Sequence, residues 1–171
     1  MCADLVTREV FLQPGHHFVG DALWRMRTLL GSCVSITLWH PRMRVGAMSH
    51  FLLSTRGMPA SAEPDGRYGD ESLQLMLSEL KRQRVPIVEC EAKIFGGGNM
   101  FPNQSCKCRV NVGQANGEAA RAMLLAHGIP VRSESLFGVG HRQIIFDVAT
   151  GHVWARQVAP NDVAMFRQEF Q

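Results

Sequence analysis

Two apolar stretches separated by a short polar turn constrain the fold most strongly. Residues 28–39 (TLLGSCVSITLW) and 45–53 (VGAMSHFLL) are rich in the β-branched and apolar residues that strands favour. Between them, residues 40–43 (HPRM) supply turn chemistry, because Pro41 already has the backbone φ required at the first central position of a type I turn. The sequence therefore predicts a β-hairpin over residues 28–53.

The remaining segments place this hairpin in a mixed architecture. A loop rich in Gly, Pro and Ser is predicted at residues 54–69, either as a flap that contacts a substrate or as a plain surface loop. Helices are predicted at residues 70–84, with Asp70 as N-cap, and at 114–127, closed by Gly128. Further strands are predicted at residues 85–95, 131–135, 143–148 and 152–158, the last two joined by a turn at Thr150-Gly151. This order predicts an α+β fold, a layered α/β sandwich with β-hairpins and two main helices, and argues against a doubly wound parallel sheet.

Length, charge and cysteine content limit the class of function. The 171 residues fit one domain, 1–171, and 46% hydrophobic residues support a core without disulfides or metal. The net charge of +3 favours an acidic partner surface, but the basic residues are scattered and do not predict nucleic-acid binding. The sequence shows no secretory signal, no apolar run of membrane-spanning length and no disulfide framework among its five cysteines. We therefore expect a cytoplasmic protein with free thiols and no membrane insertion.

Cys33 and His50 are the candidate catalytic pair. If the hairpin turn is centred between residues 41 and 42, the two side chains face each other directly, with Cβ atoms about 4.5–5.5 Å apart. An imidazole at that distance can deprotonate the sulfur and hold the thiolate as an ion pair, which lowers the pKa of the cysteine. Taken alone, however, a free cysteine and a lone histidine are more often buried structural residues.

Glycine-rich segments supply candidate oxyanion and substrate contacts. Peptide N–H groups around Gly31 and Ser32 can bind the oxyanion of a tetrahedral intermediate beside the nucleophile. Gly97 and Gly98 lie in a tight turn that is predicted to line the substrate groove. The pair Cys106-Lys107-Cys108 has no second pair at zinc-ligand spacing, so we predict no metal site there.

Several blocks of the sequence resemble the chemoreceptor glutamine deamidases, the CheD family. The first block is TLLGSCV at residues 28–34, with His50 seventeen residues after the cysteine. The others are Pro14-Gly15, the Gly-rich loop at residues 92–101 (AKIFGGGNMF), residues 111–116 (NVGQAN) and residues 131–151. The motif GSC alone would be a weak signal, whereas these blocks in this order are specific.

The resemblance implies an enzyme that converts selected glutamine side chains on the cytoplasmic helices of chemotaxis receptors to glutamate. It implies ammonia release through a thioester intermediate, an additional methyl-glutamate esterase activity, and no metal or organic cofactor. It assigns Cys33 as nucleophile, His50 as base and Thr28 as the residue that orients the imidazole, with Arg27 as the alternative because the spacing to the cysteine varies in the family. For some members it also implies a CheC-type phosphatase as partner.

Two other functions are compatible with the same sequence. The chain can be a docking or regulatory module that binds a chemotaxis phosphatase or a receptor without turnover. It can also be a generic thiol peptidase or amidase, although it lacks papain-like local signatures. Deamidation of receptor peptides separates the enzyme from the docking module.

Overall fold

The computed structural model describes residues 6–57, 63–103 and 111–158, and this part of the chain contains nine strands and two α-helices. The strands are β1 (Arg8–Phe11), β2 (His17–Gly20), β3 (Trp24–Leu30), β4 (Val34–His40), β5 (Val45–Ser49), β6 (Glu91–Gly96), β7 (Val131–Leu136), β8 (His141–Asp147) and β9 (Val153–Val158). The helices are α1 (Gly69–Arg82) and α2 (Val112–Ala126). The predicted α+β class and its two main helices are confirmed.

The strands form two mixed sheets that pack in layers. One sheet has the order β1-β3-β8-β9 and the other β2-β5-β4-β6-β7, with parallel pairing only between β1 and β3 and between β6 and β7. Met48 of β5 packs with Phe146 of β8 in an inter-sheet core. Ile36 of β4 packs with Leu73 of α1 and Leu124 of α2 in a helix-side core. The five-stranded sheet is thus covered by the other sheet on one face and by both helices on the other.

The stretch at residues 28–39 forms two strands, so the prediction of one continuous strand is wrong. β3 belongs to the four-stranded sheet and β4 to the five-stranded sheet, and residues 31–33 carry the chain from one to the other. Gly31 permits this bend because it has no side chain, and a Cβ there would lie only 3.0 Å from the sulfur of Met100. The break places the candidate nucleophile at the crossover between the two sheets.

The helices lie close to their predicted positions but begin earlier. The N-cap of α1 is Tyr68, whose backbone is extended and forms an isolated β-bridge with Leu53. Asp70 lies inside the first turn, where its carboxylate accepts from the Glu71 N–H. The prediction of Asp70 as N-cap is therefore wrong. At α2, Asn111 caps the helix by accepting the Gln114 N–H at 3.1 Å.

Strand assignments elsewhere are mostly confirmed. The predicted strands near the C-terminal end of the described chain match β7, β8 and β9, and the last two form the expected antiparallel hairpin. The predicted strand at residues 85–95 instead contains a short 3-10 turn, Ile87–Glu89, before β6. The sequence did not reveal β1 and β2, which are only four residues long.

Candidate functional site

The Gly-rich loop after β6 holds the crossover segment by its backbone. Gly98 N–H donates to the Gly31 carbonyl at 2.8 Å, and Gly97 N–H donates to the Cys33 carbonyl at 2.9 Å. Gly96 makes this approach possible, because its φ is +112° and a Cβ there would lie 2.2 Å from the Cys33 carbonyl oxygen. The loop therefore fixes the position of the candidate nucleophile.

The predicted contacts of the glycines with a substrate stay predictions. The N–H groups of Gly97 and Gly98 are engaged by carbonyls of the protein, so in this conformation the two residues contribute by positioning the crossover segment. Burial raises the pKa of the Cys33 thiol, and a hydrogen bond from its own peptide N–H opposes that effect to a smaller extent. This N–H is accordingly close to where a bond to the sulfur would form.

The register of the β4–β5 hairpin differs from the predicted one. His40 pairs with Val45, and a four-residue loop ends at Arg44, whose φ is +50°. Val34 then pairs with Phe51, so Cys33 faces Leu52 and lies diagonal to His50. The predicted direct opposition is wrong, because the loop has four residues and the prediction assumed two.

The corrected register still places both catalytic candidates on one face of the sheet. A change of two residues in the loop preserves the alternation of side chains between faces. Cys33 packs against the inter-sheet core, and the His50 ring reaches Thr28 of β3 across the gap between the sheets. Diagonal neighbours have Cα atoms about 7–8 Å apart, with Cβ atoms somewhat closer, a span that an imidazole can cross.

Thr28 sets the proton arrangement of the His50 ring. Its Oγ1 lies 2.8 Å from the Leu12 carbonyl oxygen and 2.8 Å from His50 Nδ1. A carbonyl oxygen can only accept, so the hydroxyl donates its single proton to Leu12 and accepts from Nδ1–H. The imidazole consequently keeps a free lone pair on Nε2 and can act as a base there.

Burial makes the resting pair electrically neutral. It lowers the pKa of His50 from 6.5 to about 4 and raises the pKa of the Cys33 thiol. At neutral pH the imidazole is therefore unprotonated and the sulfur keeps its proton. This opposes the predicted thiolate–imidazolium ion pair in the resting enzyme and favours proton transfer during attack.

Comparisons with known proteins agree with the resemblance seen in the sequence. The family model described as "CheD chemotactic sensory transduction" matches residues 52–157. A protein of Albidiferax ferrireducens named "Probable chemoreceptor glutamine deamidase CheD 2" is 62% identical over 153 residues, which are 89% of this chain and 88% of that protein. The chain belongs to the CheD family. Two further relatives are also named as probable chemoreceptor glutamine deamidases. CheD 1 of Chromobacterium violaceum is 43% identical, over 91% of this chain and 80% of its own length. CheD of Pseudomonas syringae pv. tomato is 40% identical, over 86% of this chain and 88% of its own length.

In this CheD protein the structure distinguishes the two candidates for the orienting residue. Thr28 is fully buried and contacts His50, as the resemblance implied. Arg27 points to the opposite face of β3, where its guanidinium donates to Glu9 at 3.2 Å. Thr28, and not Arg27, therefore stays the predicted orienting residue for the candidate base His50.

Asn116 of α2 is a further site residue that the sequence analysis missed. Its side-chain Nδ2 donates to the Ser32 carbonyl at 3.2 Å and to the Leu52 carbonyl at 2.7 Å. The signal was present in the helix pattern, because Asn116 is a polar residue on the face that Gly113, Ala120 and Leu124 bury.

The predicted flap lies beside His50, the candidate base, which directly follows β5. With residues 15–17, its described ends line a pocket of about 620 Å³, to which Arg56 and Glu63 contribute. Gly15 N–H donates to the His50 carbonyl at 2.7 Å, so this pocket adjoins the backbone of His50. Contact of the flap with substrate stays a prediction.

The same described ranges contain neither a metal-binding cluster nor a membrane-spanning helix. There, no cluster of three or more His, Cys, Asp or Glu side chains could hold a metal ion. Cys106 and Cys108 lie outside these ranges. No helix in the described part of the chain is long and apolar enough to cross a bilayer.

Replacing Thr28 with Val should impair the base while preserving the shape of the side chain. The variant loses the acceptor for His50 Nδ1–H and the donor to Leu12, so we expect kcat to fall about 10- to 100-fold with a nearly unchanged KM. The unpaired buried groups should also lower the free energy of unfolding by about 1–3 kcal/mol. Steady-state kinetics with Thr37→Val, at another buried strand threonine, provide the matched control. Equal kcat in the two variants would contradict the assigned role of Thr28.

The lowered pKa of His50 should appear in the pH dependence of stability. The unfolded chain binds a proton with the ordinary pKa of 6.5, whereas the folded chain resists it down to about pH 4. Stability is therefore lost as the pH falls from about 6.5 to 4, and His50 should account for roughly 3 kcal/mol of that loss. Urea unfolding of wild type and His50→Gln at several pH values should show a flatter profile for the variant. Parallel profiles would contradict the burial effect.

Proposed function

We propose that this CheD protein hydrolyses glutamine side chains of chemoreceptors to glutamate, with Cys33 as the nucleophile. The proposal is supported by the orientation of the His50 imidazole. Its Nδ1–H donates to Thr28, which leaves Nε2 unprotonated. The ring lies on the same sheet face as the Cys33 sulfur. The names of the relatives agree with this activity, since each describes a chemoreceptor glutamine deamidase.

The first half of the reaction forms a thioester. Cys33 Sγ attacks the carboxamide carbon while His50 Nε2 takes the thiol proton, so that no free thiolate has to accumulate in the buried site. The peptide N–H of Cys33, with those of Gly31 and Ser32 as further candidates, stabilises the oxyanion. The tetrahedral intermediate then breaks its C–N bond, and the proton on His50 passes to the leaving nitrogen, which departs as ammonia.

The second half regenerates the enzyme. A water molecule gives a proton to His50 Nε2 and adds its oxygen to the thioester carbon. Breakage of the C–S bond releases glutamate, and the sulfur recovers its proton from His50. The reaction consumes one water and releases one ammonia per glutamine, and every proton that moves comes from this chain, the substrate or that water.

The proposal also covers the substrate, the cellular compartment and the partner of the reaction. We place the substrate glutamines on the cytoplasmic helices of receptors, in a reducing compartment where Cys33 stays a free thiol. A CheC-type phosphatase partner is implied by the family resemblance and is also a proposal.

Mass spectrometry of a receptor cytoplasmic fragment tests the proposed function. Incubation with the protein should raise the mass of specific receptor peptides by about one dalton for each glutamine converted to glutamate, with ammonia released in equal amount. A receptor fragment with the modified glutamine changed to asparagine should remain unmodified, because its shorter side chain does not reach the sulfur. If the protein binds the fragment without any mass change, the docking module is the correct function.

A further inference from the structure

The last backbone pairing between the nucleophile segment and the base strand lies one residue away from Cys33. Val34 and Phe51 exchange hydrogen bonds of 3.1 and 3.0 Å in both directions. One step further, Cys33 faces Leu52, but Leu52 N–H turns away and donates to the Arg67 carbonyl at 2.9 Å. The regular β4–β5 ladder ends at Thr37–Met48, Val34–Phe51 is an isolated bridge, and the crossover segment lies beyond that bridge.

The side chain of Asn116 spans the two segments at this point. The carbonyls of Ser32 and Leu52 are both acceptors, so they cannot bond to each other. The Asn116 amide provides its two N–H groups, one to each carbonyl, from a side chain that is 1% exposed. A carboxamide nitrogen is suited to this task because it places two donors on one atom.

Close packing of α2 on the Gly-rich loop allows the short side chain of Asn116 to reach both carbonyls. Gly113, one helical turn before Asn116, packs so closely on the Gly-rich loop that a Cβ there would lie 2.5 Å from the Gly97 carbonyl oxygen. Any larger residue would push the helix outward and remove Asn116 from its partners. With the helix held this close, Asn116 joins the segment of the nucleophile to the strand of the base.

We propose that Asn116 is a positioning residue for deamidation, holding Cys33 at the distance from His50 that proton transfer requires. The proposal rests on the proposed function of Cys33 and His50. Because the two lie diagonally, not directly opposed, a small outward movement of the crossover segment separates sulfur and imidazole. Such displacements of reacting groups reduce rates by about 100-fold.

Asn116→Asp and Asn116→Ala test the proposal against a matched structural control. Asp keeps the shape of Asn but offers no pair of donors, and both variants should lower kcat about 10- to 100-fold while KM changes less than about threefold. Leu124→Ala removes a fully buried side chain from the same helix and does not touch the site. It should lower the melting temperature at least as much, yet retain wild-type kcat at temperatures where it is folded.

Alkylation of individual cysteines provides a readout that a merely structural role would not change. Iodoacetamide labelling, followed by mass spectrometry of the Cys33 and Cys90 peptides, should be faster at Cys33 in the Asn116 variants, because the released segment exposes the sulfur and brings its pKa back towards the ordinary value. Cys90 is buried, and burial raises its pKa to about 11. Its labelling rate therefore measures any general loss of packing in the protein core. Its labelling should not change.

Two results would overturn the proposal. Wild-type kcat in folded Asn116→Asp would exclude a positioning role, and so would a parallel rise of Cys33 and Cys90 labelling in the Asn116 variants. Failure of the proposed function would look different, because Cys33→Ala would then deamidate normally. The labelling of Cys33 would still show whether Asn116 holds the segment.

Discussion

Cys33→Ala should lower the rate of ammonia release from receptor fragments to the level of the buffer. Removal of the nucleophile leaves no atom to form the thioester, and comparable losses in hydrolases with a covalent intermediate are about 10⁵- to 10⁶-fold. Receptor binding should be preserved, because Cys33 is only partly exposed at the crossover and the substitution removes a single sulfur atom. Ammonia release and fragment binding, measured on the same preparations, give both quantities.

Cys90→Ala is the matched control for that experiment. Cys90 is also a free cysteine, but its thiol donates to the Pro86 carbonyl at 3.6 Å and it packs in the helix-side core. Its replacement should reduce stability and leave kcat near that of wild type. A Cys33→Ala protein that deamidates within tenfold of wild type would remove this thiol from the mechanism.

His50→Gln should lose about 10²- to 10⁴-fold in kcat, the usual contribution of a general acid–base group. Its pH profile should change as well. The wild-type rate should rise as His50 loses its proton near pH 4 and then stay level through neutral pH. The residual rate of the variant should instead increase with pH, because attack then depends on spontaneous ionisation of the Cys33 thiol, whose pKa burial has raised.

His40→Gln controls for the loss of a buried histidine. His40 is equally buried, but it ends β4 and lies 3.2 Å from Glu89, at the hairpin turn and not at the crossover. Its variant should keep the level pH profile and most of kcat. If His50→Gln shows the same profile as wild type, another group serves as the base.

The sequence predicted the architecture better than the junctions between elements. Long amphipathic segments, such as those of α1 and α2, carry a clear helical period, and their helices begin within two residues of the predicted starts. The crossover at residues 31–33 was hidden, because the apolar residues on both sides give one uninterrupted strand pattern. Only contacts between sheets reveal that the chain changes sheet there.

The candidate site shows the same division between local pattern and tertiary contact. Alternation along the strands was enough to place Cys33 and His50 on one face, although the loop length, and with it the register, was misjudged. The neutral state of the pair depends on burial between two sheets, which no local pattern contains. The two hydrogen bonds from Asn116 to the Ser32 and Leu52 carbonyls depend on the packing of α2 against the Gly-rich loop, which a single sequence does not disclose.

Trapping with hydroxylamine tests most directly whether Cys33 forms a thioester with the receptor glutamine. Hydroxylamine competes with water for a thioester, so wild-type protein should convert part of the modified receptor sites to γ-glutamyl hydroxamate, in a fraction that rises with hydroxylamine concentration. Cys33→Ala should yield none. Continued formation of glutamate alone by wild type, at every hydroxylamine concentration, would contradict the covalent mechanism.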